Sequence, residues 1–184
     1  MFACLANLAY FGVEFTVAHR ITSVALFADS IDFLEDASIN GLILLAVGWT
    51  LLSRVRLGRL LAVILLIPGL TTLWQAWVKF NFPTPPAPMP LSLTALGALA
   101  VNLSCAVVLA RHRHRDSSLA KAAFLSARND VLANAAIIVT AVVTAYWHSA
   151  WPDLVVGLGI AALNAGAARE VWQAAGAEQI APKD

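Results

Sequence analysis

The chain is built from long apolar runs separated by short polar breaks. Spanning about 30 Å of hydrocarbon takes roughly 20 helical residues. On that measure the runs predict six helices, near residues 2–19, 23–52, 58–80, 90–111, 117–147 and 151–173. The second and fifth are the longest, and they also carry charge. The fold class expected is all-α: a polytopic membrane protein with six transmembrane helices in one bundle. The whole of 1–184 is expected to form that single transmembrane domain, with no soluble C-terminal domain.

The breaks between runs have their own chemistry. "FPTPPAPMP", residues 82–90, places five prolines in nine positions and predicts a loop, because repeated loss of the backbone donor opposes helix. "SRVRLGR" holds Arg54, Arg56 and Arg59, and "RHRHRDSSLAK" holds Arg111, Arg113, Arg115 and Lys121. The remaining inter-helix loops hold Arg20 and Lys79. This bias of seven against two puts the loops after the second and fourth helices in the cytoplasm, and both termini with them. The expected location is the inner (cytoplasmic) membrane of a bacterium.

Composition narrows the function classes. With 60% hydrophobic and 12% charged residues, the chain does not resemble an ordinary soluble domain. The net charge of +1, with no charged tail, gives no indication of nucleic acid as a partner and leaves the lipid bilayer. Cys4 and Cys105 lie in apolar runs without Cys-x-x-Cys spacing, so they read as packing or lipid-facing residues. The first run lacks a basic start and carries Glu14, unlike a cleavable signal. No Gly-x-Ser-x-Gly occurs, and an enzyme is not expected.

The acids carry the functional signal. Six sit well inside predicted spans: Glu14, Asp29, Asp32, Glu35, Asp36 and Asp130, with Arg128 the base at comparable depth. A charge at the bilayer centre costs on the order of 2.5–3.5 kcal/mol, so this excess has to be met by protons, water or a bound cation. At about 100° per residue, Asp29, Asp32 and Asp36 fall within an arc of roughly 60°, with Glu35 about 60° further round. Ser126, Asp130 and Asn134 form a stripe on the fifth helix within about 80°, and Arg128 lies about 160° from Asp130. Oxygen donors four residues apart on two facing helices can close a small coordination shell. The alternative is a polar seam in which the acids are protonated and hydrogen-bonded to Asn7, Ser38, Asn40 or Asn102.

"SVALFADSIDFLEDA" and "SARNDVLANAAIIVT" resemble the cation diffusion facilitator family of divalent-metal transporters, and the similarity extends from about Asn7 to Ala174. The resemblance implies a six-helix membrane domain with a metal site made by two acidic pairs, one on helix two and one on helix five. Asp32 and Asp36 match the first pair. Asp130 matches half of the second, where Ser126 stands in place of the usual histidine or aspartate. "Trp-Pro-Asp" at Trp151 to Asp153 also looks like the family. Asn129, Asp29 or water would complete the shell, while Glu14, Glu35 and Arg128 would carry protons or balance charge. Glu14 reads equally as a proton carrier and as a partner for Arg128.

Three departures bear on the chemistry. Without the histidine the donors are mostly hard oxygens, which suit manganese, iron or cobalt as well as zinc. The family's soluble C-terminal domain is expected to be missing, so a homodimer would have to form through membrane helices. The family's histidine-rich loop is reduced to His112 and His114. His19 and His148 fall near external helix ends as interfacial residues, and the tryptophans form an aromatic belt. The function expected is export of a divalent cation from the cytoplasm in exchange for protons, by alternating access, with the ion as cargo and no cofactor. The alternative is a non-transporting degenerate member that binds metal or a partner for sensing or assembly.

Overall fold

A computed structural model describes residues 2–45, 70–111 and 118–180, and they are helical apart from short turns. The elements are α1 (Phe2–Ile21), α2 (Val24–Leu45), α3 (70–81), α4 (Pro88–Arg111), α5 (Ser118–Trp147) and α6 (Trp151–Ile180). Among the described residues there is no strand, and the all-α expectation holds. Trp49 and the loop residues Arg54, Arg56, Arg59, His112, Arg113, His114 and Arg115 lie outside the described residues. So do the side chains of Arg111, Lys121, Ser126 and Arg128.

α4 starts earlier than the proline-rich sequence predicts. Pro88 and Pro90 lie in its first turn, where backbone N–H groups have no intrahelical acceptor, so the missing donors cost nothing there. Leu91 N donates to Ala87 O at 3.2 Å and closes the turn. The loop is therefore confined to residues 82–87. At the other end of the chain α6 runs to Ile180, beyond the apolar pattern that predicts an end near 173.

Five helices close a ring in the order α1, α2, α6, α5, α4 and back to α1, with α2 and α5 touching only lightly. Inside the ring, Ala18, Ala25, Leu26, Phe27, Ala28, Ile31, Leu91, Ala95, Ala133, Ile137, Ala141 and Ile160 form one core from all five helices. Alanine is frequent in this core because small side chains let helix backbones approach, which is how membrane helices gain packing without a hydrophobic driving force. The outward faces carry Leu5, Leu93, Leu132, Val139, Val155 and Leu163, all exposed, as a lipid-facing surface requires. Pro88–Val108 and Asn129–Trp147 are each long and apolar enough to cross a membrane. Exposed Trp74, Trp77, Trp147 and Trp151 cluster at the end where α3 stops and α6 starts, with Phe80 edge-on to Trp151 at 5.8 Å between ring centroids.

The backbones of α2 and α6 approach closely at Gly157. A Cβ built on Gly157 would lie 2.7 Å from Ala25 N and from the Val24 carbonyl carbon, both backbone atoms that cannot swing aside. Farther along, Asn164 Nδ2 donates to Ala28 O at 3.1 Å. Gly157→Ala is expected to push α6 off α2 and cost about 1–3 kcal/mol, measured as a lower thermal midpoint in detergent. Gly159→Ala on the same helix, where a Cβ meets nothing within 4 Å, should change it little.

Candidate metal centre

The acids of α2 and α5 come together around Asp32. Its electrostatic neighbours are Asp29, Glu35 and Asp36 on its own helix and Asp130 on α5. Asp130 in turn interacts with Asp36 and Asp29. Asp32, Asp36 and Asp130 are half-buried, whereas Asp29 and Glu35 are buried. Asn129 is exposed, about 100° round α5 from Asp130. Among the described residues no three His, Cys, Asp or Glu side chains stand close enough to share one ion.

Asp36 is held from α1. Asn7 Nδ2 donates to Asp36 Oδ2 at 3.2 Å, and Cys105 Sγ on α4 donates to Asn7 Oδ1 at 3.5 Å. Asn7 thus meets a carboxylate, as the polar-seam alternative has it. Asn40 Nδ2 instead donates to the Asp36 main-chain carbonyl at 2.8 Å, and Asn134 Nδ2 to the Asp130 main-chain carbonyl at 2.9 Å. Asn134 Oδ1 is buried without a donor. Both cysteines are free. Cys4 Sγ donates to Ala37 O at 3.4 Å, so both thiols serve packing between helices.

Glu14 of α1 is 0% exposed, and its nearest acidic neighbour is Asp29 of α2. Both Glu14 oxygens and Asp29 Oδ2 are buried, and among the described residues no other group donates to them; the two carboxyls are hydrogen-bond partners of each other, which requires a proton between them. Asp29 therefore stands between the group around Asp32 and the carboxyl of α1.

A second acidic centre was not anticipated from the pattern of spans. Asp153, in the first turn of α6, is 0% exposed and caps the start of α2. Its Oδ2 accepts from Val24 N at 2.8 Å and its Oδ1 from Ala25 N at 3.3 Å. Ser23 Oγ also donates to Oδ1 and accepts from Leu26 N at 3.1 Å. The first three N–H groups of α2, which have no partner within the helix, are all satisfied in this way. Lys79 of α3 supplies the countercharge: its Nζ donates to Asp153 Oδ2 and, at 2.7 Å, to Thr22 O. Lys79 lies in the last turns of α3, within the span predicted near 58–80, and is 5% exposed. Thr22 has φ 53°, a left-handed conformation that a branched residue resists by about 1–2 kcal/mol. Its bond to Lys79 and the Ser23 N–H bond to Ala18 O at 3.0 Å hold the turn.

The profile of the cation efflux transmembrane domain matches residues 1–175. The chain belongs to the cation efflux family. As a cation efflux protein it is an integral membrane, metal cation transporter of the cation diffusion facilitator kind, in which the helical bundle is the transmembrane domain. A search of curated proteins found no significant match.

Removing one member of a buried pair leaves the other charge uncompensated, at about 3–5 kcal/mol. Lys79→Met is expected to lose stability on that scale, read by denaturation in detergent. Adding Asp153→Asn should recover part of the loss, since the orphaned charge is then gone; additive losses in the double variant would show that the two side chains are not coupled.

Proposed function

We propose that this cation efflux protein exports a divalent metal cation from the cytoplasm in exchange for protons, with Asp32, Asp36 and Asp130 as the ligands that bind and release the ion. The observation that carries this reading is the position of Asp32 among carboxylates from two helices that make little direct contact. Oxygen donors on α2 and α5 can close round a cation if the helices tilt together, and each carboxylate can hold either a proton or a share of the ion. Alternating access then consists of that tilt, first toward one side of the membrane and then toward the other. Ser126, with water, would complete the shell, and Asn7 would orient the Asp36 carboxylate. Glu14, Asp29 and Glu35 would serve as protonatable groups around the site.

The donors are almost all oxygen, so a hard or borderline ion such as manganese, iron, cobalt or zinc fits as cargo. The excess of arginine and lysine in the loops after the second and fourth helices supports a cytoplasmic position for them. Arg20 and Lys79, at the opposite helix ends, both lie in the last turns of their helices, and the charge bias points the same way.

Asp36→Ala and Asp130→Ala are each expected to abolish metal-driven uptake into inside-out vesicles. Full transport by both variants would refute the ligand assignment. Stoichiometric metal binding without flux in proteoliposomes would select the non-transporting alternative. Proton release on adding metal, tested across manganese, iron, cobalt and zinc, is expected for the transported ions and should be lost in Asp36→Ala.

A further inference from the structure

α2 is enclosed along one half and partly open along the other. Every residue from Ser23 to Ile31 is buried, and half-buried positions begin at Asp32 and recur at Leu34, Asp36 and Ser38. The enclosed half is where α6 lies closest, at Gly157 and Asn164. At the tip, Asp153 takes the first two N–H groups of α2 while Lys79 ties Asp153 and Thr22 O to α3. Three separate helices thus meet at one buried ion pair, at the same end of α2 as the sealed half. The Asp153 carboxylate there is already matched by Lys79, so it offers an ion leaving the Asp32 group no free negative charge.

We propose that Asp153 and Lys79 form the closure of the ion path at the α2 N-terminal end. While they hold the start of α2 against α6 and α3, the site is closed at that end. Release on the other side requires α2 to part from α6. Asp153 and Lys79 are positioning residues in this scheme: they act on the path through α2 and do not touch the ion. The role in transport rests on the function proposed above; the closure itself does not require it.

The test reads access rather than flux. Ser30→Cys is a near-isosteric change at a fully buried α2 position whose hydroxyl bonds Phe27 O in its own helix. The native Cys105 thiol, buried on α4, serves as an internal control for general loosening. Both are labelled with a water-soluble maleimide in nanodiscs and quantified separately by mass spectrometry. Lys79→Gln, which removes the charge and ends one atom short of the ammonium, is expected to raise the labelling rate at position 30 by about tenfold or more and leave Cys105 unchanged. Asp153→Asn should do the same. An unchanged rate at position 30 in Lys79→Gln, or an equal rise at Cys105, overturns the proposal. No metal is present in this measurement, so its outcome is separate from that of the flux experiments.

Discussion

A carboxylate taken out of water must be met by donors or by a cation, and the two groups of acids in this protein satisfy that demand in different ways. Asp153 is saturated: two backbone N–H groups, one hydroxyl and one ammonium surround its two oxygens. It also sits where the positive ends of two helices, α2 and α6, converge, which favours a negative charge. Around Asp32 the arrangement is the reverse. Carboxylates from α2 and α5 are electrostatic neighbours, and the side-chain hydrogen bonds to them are few: Asn7 to Asp36, and the contact between Asp29 and Glu14. The saturated group gives the bundle a fixed point, and the unsaturated one gives it chemistry.

The ring of helices places these two groups at different heights on the same element. α2 is anchored at its start by capping from α6 and along its first half by the Gly157 approach, and its aromatic contacts to α1 continue through Phe27 and Phe33. Its relation to α5 is loose by comparison. A helix fixed at one end and lightly contacted across the ring can tilt at the other end without breaking its main packing. Membrane helix interfaces built from alanine and glycine suit this, because small side chains leave few interlocked knobs to disengage.

Much of this was legible in the sequence, and what was not has a physical reason. Apolar run length predicts helices because lipid leaves the backbone no other way to satisfy itself. The 100° step per residue puts Asp29, Asp32 and Asp36 on one face and Asp130 on the stripe that meets them. The Lys79–Asp153 pair escapes that reading because both residues lie at span ends, where a charge is usually interfacial and needs no partner. The signal was nonetheless present. Asp153 is the acid at the helix ends on that side, Ser23 is a good N-cap, and a capped helix start with a nearby unmatched acid and lysine invites the pairing. α4 starts at Pro88, two residues before the predicted 90, because a proline in a first turn breaks nothing.

The boundary between the sealed and half-buried parts of α2 falls between Ile31, 3% exposed, and Asp32. Asp29 lies on the sealed side and Asp32 and Asp36 on the other, although all three share one face of the helix. A group that exchanges an ion with water must be reached by water, so position along the helix separates residues that angular position alone groups together. Asp32 and Asp36 are half-buried in this structure, and Asp29 is buried. Asp29, enclosed and set against Glu14, is an electrostatic neighbour of Asp32 one helical turn away; on the function proposed above, a cation held by Asp32 and Asp36 would change the field at Asp29. Coupling between ion and proton would then need no direct competition for one oxygen, only adjacency in a medium that screens charge poorly.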